Sequence, residues 1–298
     1  MKTLNALVKR NVKLFFNDKG MFFTSLITPA ILLVLYATFL GKVYRESFTM
    51  NLPQGFKVSD KIIDGLVGGQ LISSILAVSC VTVAFCSNLL MVQDKVNGSI
   101  RDLKITPVRP YLLSIGYYLS SVISTLIICF TAMTVCLSYL AVAGWYMTTA
   151  DICLLALDIF LLVLFGTAIS SIINFYLSTQ GQISAVGTIV SSGYGFISGA
   201  YMPISQFSEG LQKLIHFFPG TYGTSLLRNH ALRGSFEALQ KAGFPADVVE
   251  SIKDSIDCNI YFFGNKVPEF SKFLIISASV SILLAVYIMV NFLKKRSV

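Results

Sequence analysis

The chain has 298 residues, and only 13% of them are charged. A soluble domain usually carries about a quarter charged residues, so the composition favours a membrane protein over a soluble enzyme or binding module. The net charge is +8, but no basic groove with alternating aromatic residues accompanies it, so no nucleic-acid partner is expected. Basic residues attracted to the membrane surface account for this charge instead.

Long stretches without Asp, Glu, Lys or Arg divide the chain into segments that can cross a bilayer, which takes about 20 apolar residues. The run at residues 159–208 is too long for one crossing and contains a polar turn at residues 178–182. The sequence therefore predicts an all-α membrane protein with six transmembrane helices. The predicted spans are residues 21–41, 62–92, 111–143, 152–177, 183–202 and 271–293.

Residues 1–20 form an amphipathic, basic segment ahead of the first span. On a helix, Leu7 and Phe15 lie on one side and Lys9 and Arg10 on the other, which predicts an interfacial helix in the plane of the membrane. A solvated basic tail is the alternative. The segment lacks the continuous apolar stretch of a cleavable signal peptide, so the first span is expected to be retained.

Lys and Arg residues cluster before the first span, between the second and third spans, and at residues 294–298. Such residues favour the cytoplasmic side of a membrane, so both termini are expected in the cytoplasm. The same residues make membrane lipid an expected contact.

The second and third spans are joined by a short charged segment that Ser99 can cap as a helix and that Pro107 would end. Its apolar side carries Ile100, Leu103 and Ile105, and its water-facing side carries Arg101, Asp102 and Lys104. A short helix with exposed apolar residues either lies against lipid headgroups or contacts a partner, and the sequence leaves both open.

Residues 203–270 are predicted to be an outer helical region. Glycines and a proline weaken the end of the fifth span. Apolar residues then recur every three or four positions over residues 204–218, which predicts an amphipathic helix at the outer interface or a lid on the bundle. Residues 219–223 are expected to break the helical pattern, and residues 247–256 are predicted to form another short helix.

Groups that could do chemistry are few. The chain has no phosphate-binding loop and no metal-ligand spacing, so it is expected to be no enzyme and to bind no cofactor. His216 and His230 are interpreted as interfacial polar residues. Asp158 lies inside the fourth span, where an acid either serves transport or forms a hydrogen bond with Ser, Thr or Tyr of a neighbouring helix.

Two stretches of the chain carry spaced patterns of residues. Residues 91–120 contain an acid, a glycine, a leucine and a proline at Asp94, Gly98, Leu103 and Pro107. Residues 196–232 contain a second pattern, made by Ser198, Gly199, Pro203, Pro219, Tyr222, Leu227 and Arg228. In these two patterns the chain resembles the permease subunits of ABC type-2 exporters, although that family usually has Glu where Asp94 stands.

The resemblance implies that residues 99–106 form a coupling helix seated in a groove of a separate ATP-binding subunit, which would use ATP and Mg²⁺. The expected coupling residues are Asp94, Gly98, Ser99, Ile100, Arg101, Leu103, Lys104 and Pro107. It also implies a second permease chain, identical or different, and a substrate path lined by the first, second and fifth spans. The candidates for the path or its gate are Asp158, Gly193, Gly195, Ser198, Gly199 and Pro203.

Residues 1–298 are thus expected to form a single transmembrane domain of a multi-pass plasma-membrane protein, with a bacterial origin fitting best. It comprises an interfacial helix (1–20), five spans (21–202), the outer region (203–270), the sixth span (271–293) and a cytoplasmic tail (294–298). The expected activity is export of an amphiphilic drug, antibiotic, peptide or lipid-like molecule. The alternatives are a polysaccharide or glycolipid exporter of the same family, an ion-coupled carrier or channel using Asp158, and a scaffold that transports nothing.

Overall fold

The computed structural model of the protein describes residues 2–50, 58–106 and 108–294. In chain order, its helices are α1 (Lys2–Asn17), α2 (Lys19–Leu35), α3 (Gly41–Met50), α4 (Asp60–Val96), α5 (Ser99–Ile105), α6 (Pro110–Ala143), α7 (Thr149–Tyr176), α8 (Gln180–Ile197), α9 (Glu209–Ile215), α10 (Pro219–Lys241), α11 (Ala246–Ser255) and α12 (Glu269–Lys294). A π-helical stretch (Tyr36–Leu40) joins α2 to α3, and a 3₁₀ turn (Ile204–Gln206) precedes α9. The antiparallel strands β1 (Tyr261–Phe262) and β2 (Asn265–Lys266) form a hairpin before α12.

Five helical segments of the described chain are long and apolar enough to cross a membrane. They are Lys19–Glu46, Asp60–Val96, Tyr111–Ala143, Thr149–Tyr176 and Glu269–Asn291. These segments match the first, second, third, fourth and sixth predicted spans and confirm the all-α membrane class. The helix predicted as the fifth span, α8, has 18 residues and begins with two glutamines, at Gln180 and Gln182. Since it is not among the five, the count of six spans stays a prediction.

Helix α4 is the centre of the bundle and packs against α2, α6, α7, α8 and α10. Leu76 and Val78, on opposite sides of it, are completely buried, as expected for a helix that is apolar all round. Gly69 lets α10 approach closely, because a Cβ atom there would lie 2.5 Å from Leu232. These five helices therefore surround α4.

Helix α1 packs along α6 and is part of the bundle. Leu7 and Phe15 are buried, as the amphipathic pattern predicts. The predicted outward position of Arg10 is wrong, because its guanidinium turns inward to a buried carboxylate on α4. We call the end of the bundle that carries α1 and α5 the α5 end, and the opposite end, with α9 to α11, the α9 end.

The α9 end differs most from the sequence prediction. Pro219 starts a helix of 23 residues, α10, where the sequence suggested a break. Proline is favourable in the first turn of a helix, where its missing N–H has no partner to lose. The amphipathic helix predicted over residues 204–218 is shorter, since Phe207 is extended and α9 covers only Glu209–Ile215. The predicted helix at residues 247–256 is present as α11.

Candidate functional site

A groove runs between α2 and α8, and residues of α4 also line it at the α5 end. Towards the α9 end it holds a cavity of about 630 Å³. Its walls there are mainly apolar and include Ile27, Ile31, Leu35, Phe196, Tyr201 and Met202. The arrangement leaves a recess open to the side of the bundle, of a size that suits a small molecule.

Towards the α5 end the groove holds a second cavity of about 540 Å³. Its walls carry polar side chains, which include Asp18, Thr24, Gln93, Gln180, Ser184 and Thr188. The two cavities share Ile27 and Ser191, so they form one continuous groove. The groove is therefore polar at the α5 end and apolar towards the α9 end.

The chain turns sharply where α8 ends, at residues 198–204, and this turn carries Tyr201 and Met202 into the apolar end of the groove. Three side chains from different elements hold its backbone. Tyr36 of the π-helical stretch donates a hydrogen bond to the Ala200 carbonyl (3.2 Å). Arg228 of α10 donates to the Gly199 carbonyl (2.5 Å), and Asp257 accepts from the Ile204 N–H (2.8 Å). The turn is thereby tied to both the π-helical stretch after α2 and α10.

Arg228 and Asp257 also contact each other, with 3.2 Å between Nη1 and Oδ2. The Arg228 side chain is 1% exposed, so the ion pair is shielded from water. Burial raises the pKa of Asp257 from its usual value near 3.8 to about 6, although the Arg228 charge opposes the rise. Removing one member of a buried pair leaves an uncompensated charge and costs about 3–5 kcal/mol.

The turn contains or adjoins four of the residues predicted to line the path, namely Gly195, Ser198, Gly199 and Pro203. These four and Gly193 are not among the described lining residues of the groove. A Cβ at Gly195 would clash with the Tyr201 ring, so glycine lets that ring fold back onto α8. Gly199 has a φ of +72°, which favours glycine. Ser198 is buried, and Pro203 precedes the 3₁₀ turn. Gly193 faces open space.

Asp158 is buried between α7 and α10 and lies 2.5 Å from the Nδ1 atom of His230. Its partner is therefore a histidine, and the sequence interpretation of His230 as an interfacial residue is wrong. The pairing could not be read from the sequence because α10 was not predicted there. Neither residue is among the described lining residues of the groove.

The short helix α5 projects from the bundle between α4 and α6. Gly98, with a φ of +82°, takes the N-cap position that the sequence gave to Ser99. Arg101 and Asp102 are exposed, while Ile100 and Leu103 are half-buried. Ile105 is 84% exposed, which makes it the most solvent-accessible apolar residue described on α5. The Lys104 side chain and Pro107 lie outside the described residues.

Asp94, just before α5, is buried and forms part of a network inside the bundle. It accepts hydrogen bonds from Arg10 of α1 (2.8 Å) and from the Tyr117 hydroxyl of α6 (2.5 Å). Next to it, the Lys95 ammonium donates to the carbonyls of Asn174, Phe175 and Leu177 at the end of α7. Carbonyls at a helix end otherwise lack partners. Four helices are thus fastened together at the root of α5.

Within the described residues, no three His, Cys, Asp or Glu side chains lie close enough together to hold a metal ion. The two features that stand out among the described residues are the groove and the exposed helix α5.

The model of the ABC-2 type transporter family matches residues 2–231 of this chain. The chain belongs to the ABC-2 type transporter family. It is the membrane-embedded permease of such a transporter, and the family implies a partner subunit that binds ATP. Comparison with curated proteins finds no match.

The matched part of the permease contains the groove, α5 and the first half of α10. Three residues of the second sequence pattern have structural roles there. Pro219 begins α10, and the Tyr222 hydroxyl donates a hydrogen bond to the His216 carbonyl (2.7 Å). Arg228 donates a hydrogen bond to the turn after α8. Asp257, which completes the ion pair, lies beyond the matched residues. Its role could be found only from the fold, because 29 residues separate it from Arg228.

Proposed function

We propose that this permease exports an amphiphilic molecule, such as a drug, antibiotic, peptide or lipid-like compound, with energy from ATP hydrolysis on a separate subunit. The observation that carries the proposal is the groove between α2 and α8, which is polar at one end and apolar at the other. An amphiphile can satisfy both parts at once. The two cavities have the size of small-molecule sites, which favours such a substrate over a polysaccharide.

In this proposal the α5 end faces the cytoplasm and α8 is the sixth membrane-crossing helix. Two permease chains place their grooves face to face, and the substrate passes between them. Helix α5 sits in the ATP-binding subunit, with Ile105 as the principal apolar contact and Arg101 at the rim. ATP binding shifts the permease between states only as far as the ATP-bound partner prefers one of them.

Export assays in membrane vesicles turned inside out test this proposal. A fluorescent amphiphile should accumulate in vesicles when ATP is added, and an agent that dissipates ion gradients should not stop it. Ile105→Asp should lower the ATP-dependent rate at least tenfold, because a charge replaces the main apolar contact. Asn97→Asp adds the same charge at an exposed position nearby and should keep at least half of the rate.

A second candidate function is transport coupled to protons through Asp158. The observation in its favour is the buried contact between Asp158 and His230, a pair of groups that can exchange a proton. This alternative predicts uptake that needs a proton gradient but no ATP, and its loss in Asp158→Asn. Uptake of that kind would replace the ATP-driven proposal.

A further inference from the structure

The walls of the groove change from polar to apolar along its length, and this change narrows the class of substrate. Its polar wall starts at Asp18 and its apolar wall ends at Leu40. At about 1.5 Å per residue, this stretch of helix is roughly 33 Å long, comparable to the apolar thickness of a bilayer. A molecule lying along it would place a polar headgroup at the α5 end and an apolar segment beside Ile27, Ile31 and Leu35.

The charge on the walls of the groove favours a cationic headgroup over an anionic one. Among the described residues that line the two cavities, Asp18 is the one acidic side chain, and there is no Lys, Arg or His. Lys19 follows Asp18 in the chain but is not one of these lining residues. An anionic headgroup would lie beside a carboxylate with no cation to balance it. A cationic headgroup would gain the attraction of Asp18.

The neighbouring polar groups suit the same headgroup. The amide oxygens of Gln93 and Gln180 and the hydroxyl oxygens of Ser184 and Thr188 line the same end, and all of them can accept hydrogen bonds or face a cation. Asp18 has a second task, because one of its carboxylate oxygens accepts the Met21 N–H (3.1 Å) and caps α2. The carboxylate is nevertheless exposed.

We propose that the groove binds a cationic amphiphile, with its headgroup beside Asp18 and its apolar part along α2 towards Tyr201. The inference rests on the proposed function for its biological meaning, since it names the substrate class of the same groove. The binding itself needs no ATP and no partner subunit. It is therefore testable on the full permease alone.

The test uses tryptophan fluorescence in nanodiscs of zwitterionic lipid. The chain has one tryptophan, Trp145, so a Trp145→Phe background provides a clean reporter. Ile31→Trp places the reporter in the groove, and Ile282→Trp places a control on α12, where the residue is exposed to a similar degree. The quenchers are three nitroxide-labelled amphiphiles with one tail and a trimethylammonium, a glucoside or a phosphate headgroup.

The trimethylammonium compound should quench the tryptophan at position 31 in a saturable way, at least tenfold more tightly than the phosphate compound. At position 282 all three should quench in proportion to their concentration in the lipid. Asp18→Asn keeps a good N-cap and removes the charge, so it should weaken binding of the cation about fivefold. The effect is modest because solvent screens an exposed carboxylate. Binding of the glucoside should change less than twofold.

Asp247→Asn is the matched control, since it removes an exposed acid at the start of α11, outside the groove. It should leave all three affinities unchanged. Equal quenching by the three headgroups at position 31 would show a surface for ordinary lipid and overturn the proposal. Tighter binding of the phosphate would also overturn it, as would absent quenching in a dimer whose partner covers position 31. None of these results depends on whether an ATP-binding subunit is found, so failure of this inference and failure of the proposed function remain distinguishable.

Discussion

Burial of Asp257 disfavours the charged form of its carboxyl group, but the same group accepts a hydrogen bond that holds the turn after α8. Burial raises its pKa to about 6, while its Oδ2 atom accepts the Ile204 N–H and contacts Arg228. A carboxyl group with a raised pKa binds its proton more tightly in the folded state than in the unfolded state. Its contribution to stability is therefore greatest below about pH 4 and is lost as the pH rises through 6.

The pH dependence of unfolding should show this group directly. With a pKa of about 6 against 3.8, ionisation of Asp257 should remove about 2 kcal/mol of stability between pH 4 and pH 7. Thermal unfolding midpoints of the purified permease over this range measure the change. Asp257→Asn should flatten the slope relative to the unchanged chain, whereas Asp247→Asn should not. An identical slope in all three proteins would remove Asp257 as its source.

Two glycines at the end of α8 provide a matched test of the turn. Gly199 has a φ of +72°, and a Cβ there would lie 3.0 Å from Ile204. Gly199→Ala should therefore lower the free energy of unfolding by about 1–2 kcal/mol. Gly193 lies inside α8 with open space beside it, so Gly193→Ala should raise stability by up to about 1 kcal/mol. Thermal unfolding of both variants checks the opposite signs, and a loss of stability in both would contradict the described turn.

At the scale of the elements, α1 packs into the bundle and contributes to its stability. The ion pair between Arg10 and Asp94 joins it to the end of α4, directly before α5, and Tyr117 of α6 shares the same carboxylate. The buried carboxylate explains why a residue on the expected polar side of α1 turns inward, because a buried charge needs a partner.

Breaking this pair should loosen the root of α5. Arg10→Ala should lower the free energy of unfolding by about 2 kcal/mol, since among the described residues Asp94 then keeps only the Tyr117 hydrogen bond. Lys9→Ala, at the exposed neighbouring position, should change it by less than about 0.5 kcal/mol. A double-mutant cycle with Asp94→Asn measures the coupling, which should exceed about 1 kcal/mol. Additive effects would mean that the two residues act independently.

The elements also show where sequence reasoning succeeds and where it stops. Long apolar runs set five helices, because length and composition alone decide whether a helix suits a membrane. Helix α10 was missed because Pro219, Gly220 and Gly223 look like a loop in one dimension. In the fold, Gly220 and Gly223 lie against Phe218 and Leu162, and packing outweighs their weak helix propensity. The contacts of Asp158 and Arg228 became visible only with that helix in place.

At the scale of the whole molecule, the two ends of the permease carry different structural features. The α5 end carries an exposed helix, a basic amphipathic helix and the polar half of the groove. The α9 end carries buried ion pairs and the turn that faces the apolar half. The family resemblance implies a path between the first, second and fifth spans, and the walls of the groove come from the corresponding helices α2, α4 and α8. The shape of the groove could not be predicted, because it depends on the separation of helices far apart in the chain.

In the proposed transporter, α5 is the point where a separate ATP-binding subunit attaches. Purification of the tagged permease from its native membrane in mild detergent, followed by mass spectrometry, tests this most directly. A protein with a phosphate-binding loop should copurify with the unchanged chain and with Asn97→Asp, and should be lost with Ile105→Asp. If no such protein copurifies while other membrane complexes survive, or if Ile105→Asp retains it in full, the assignment of α5 is contradicted.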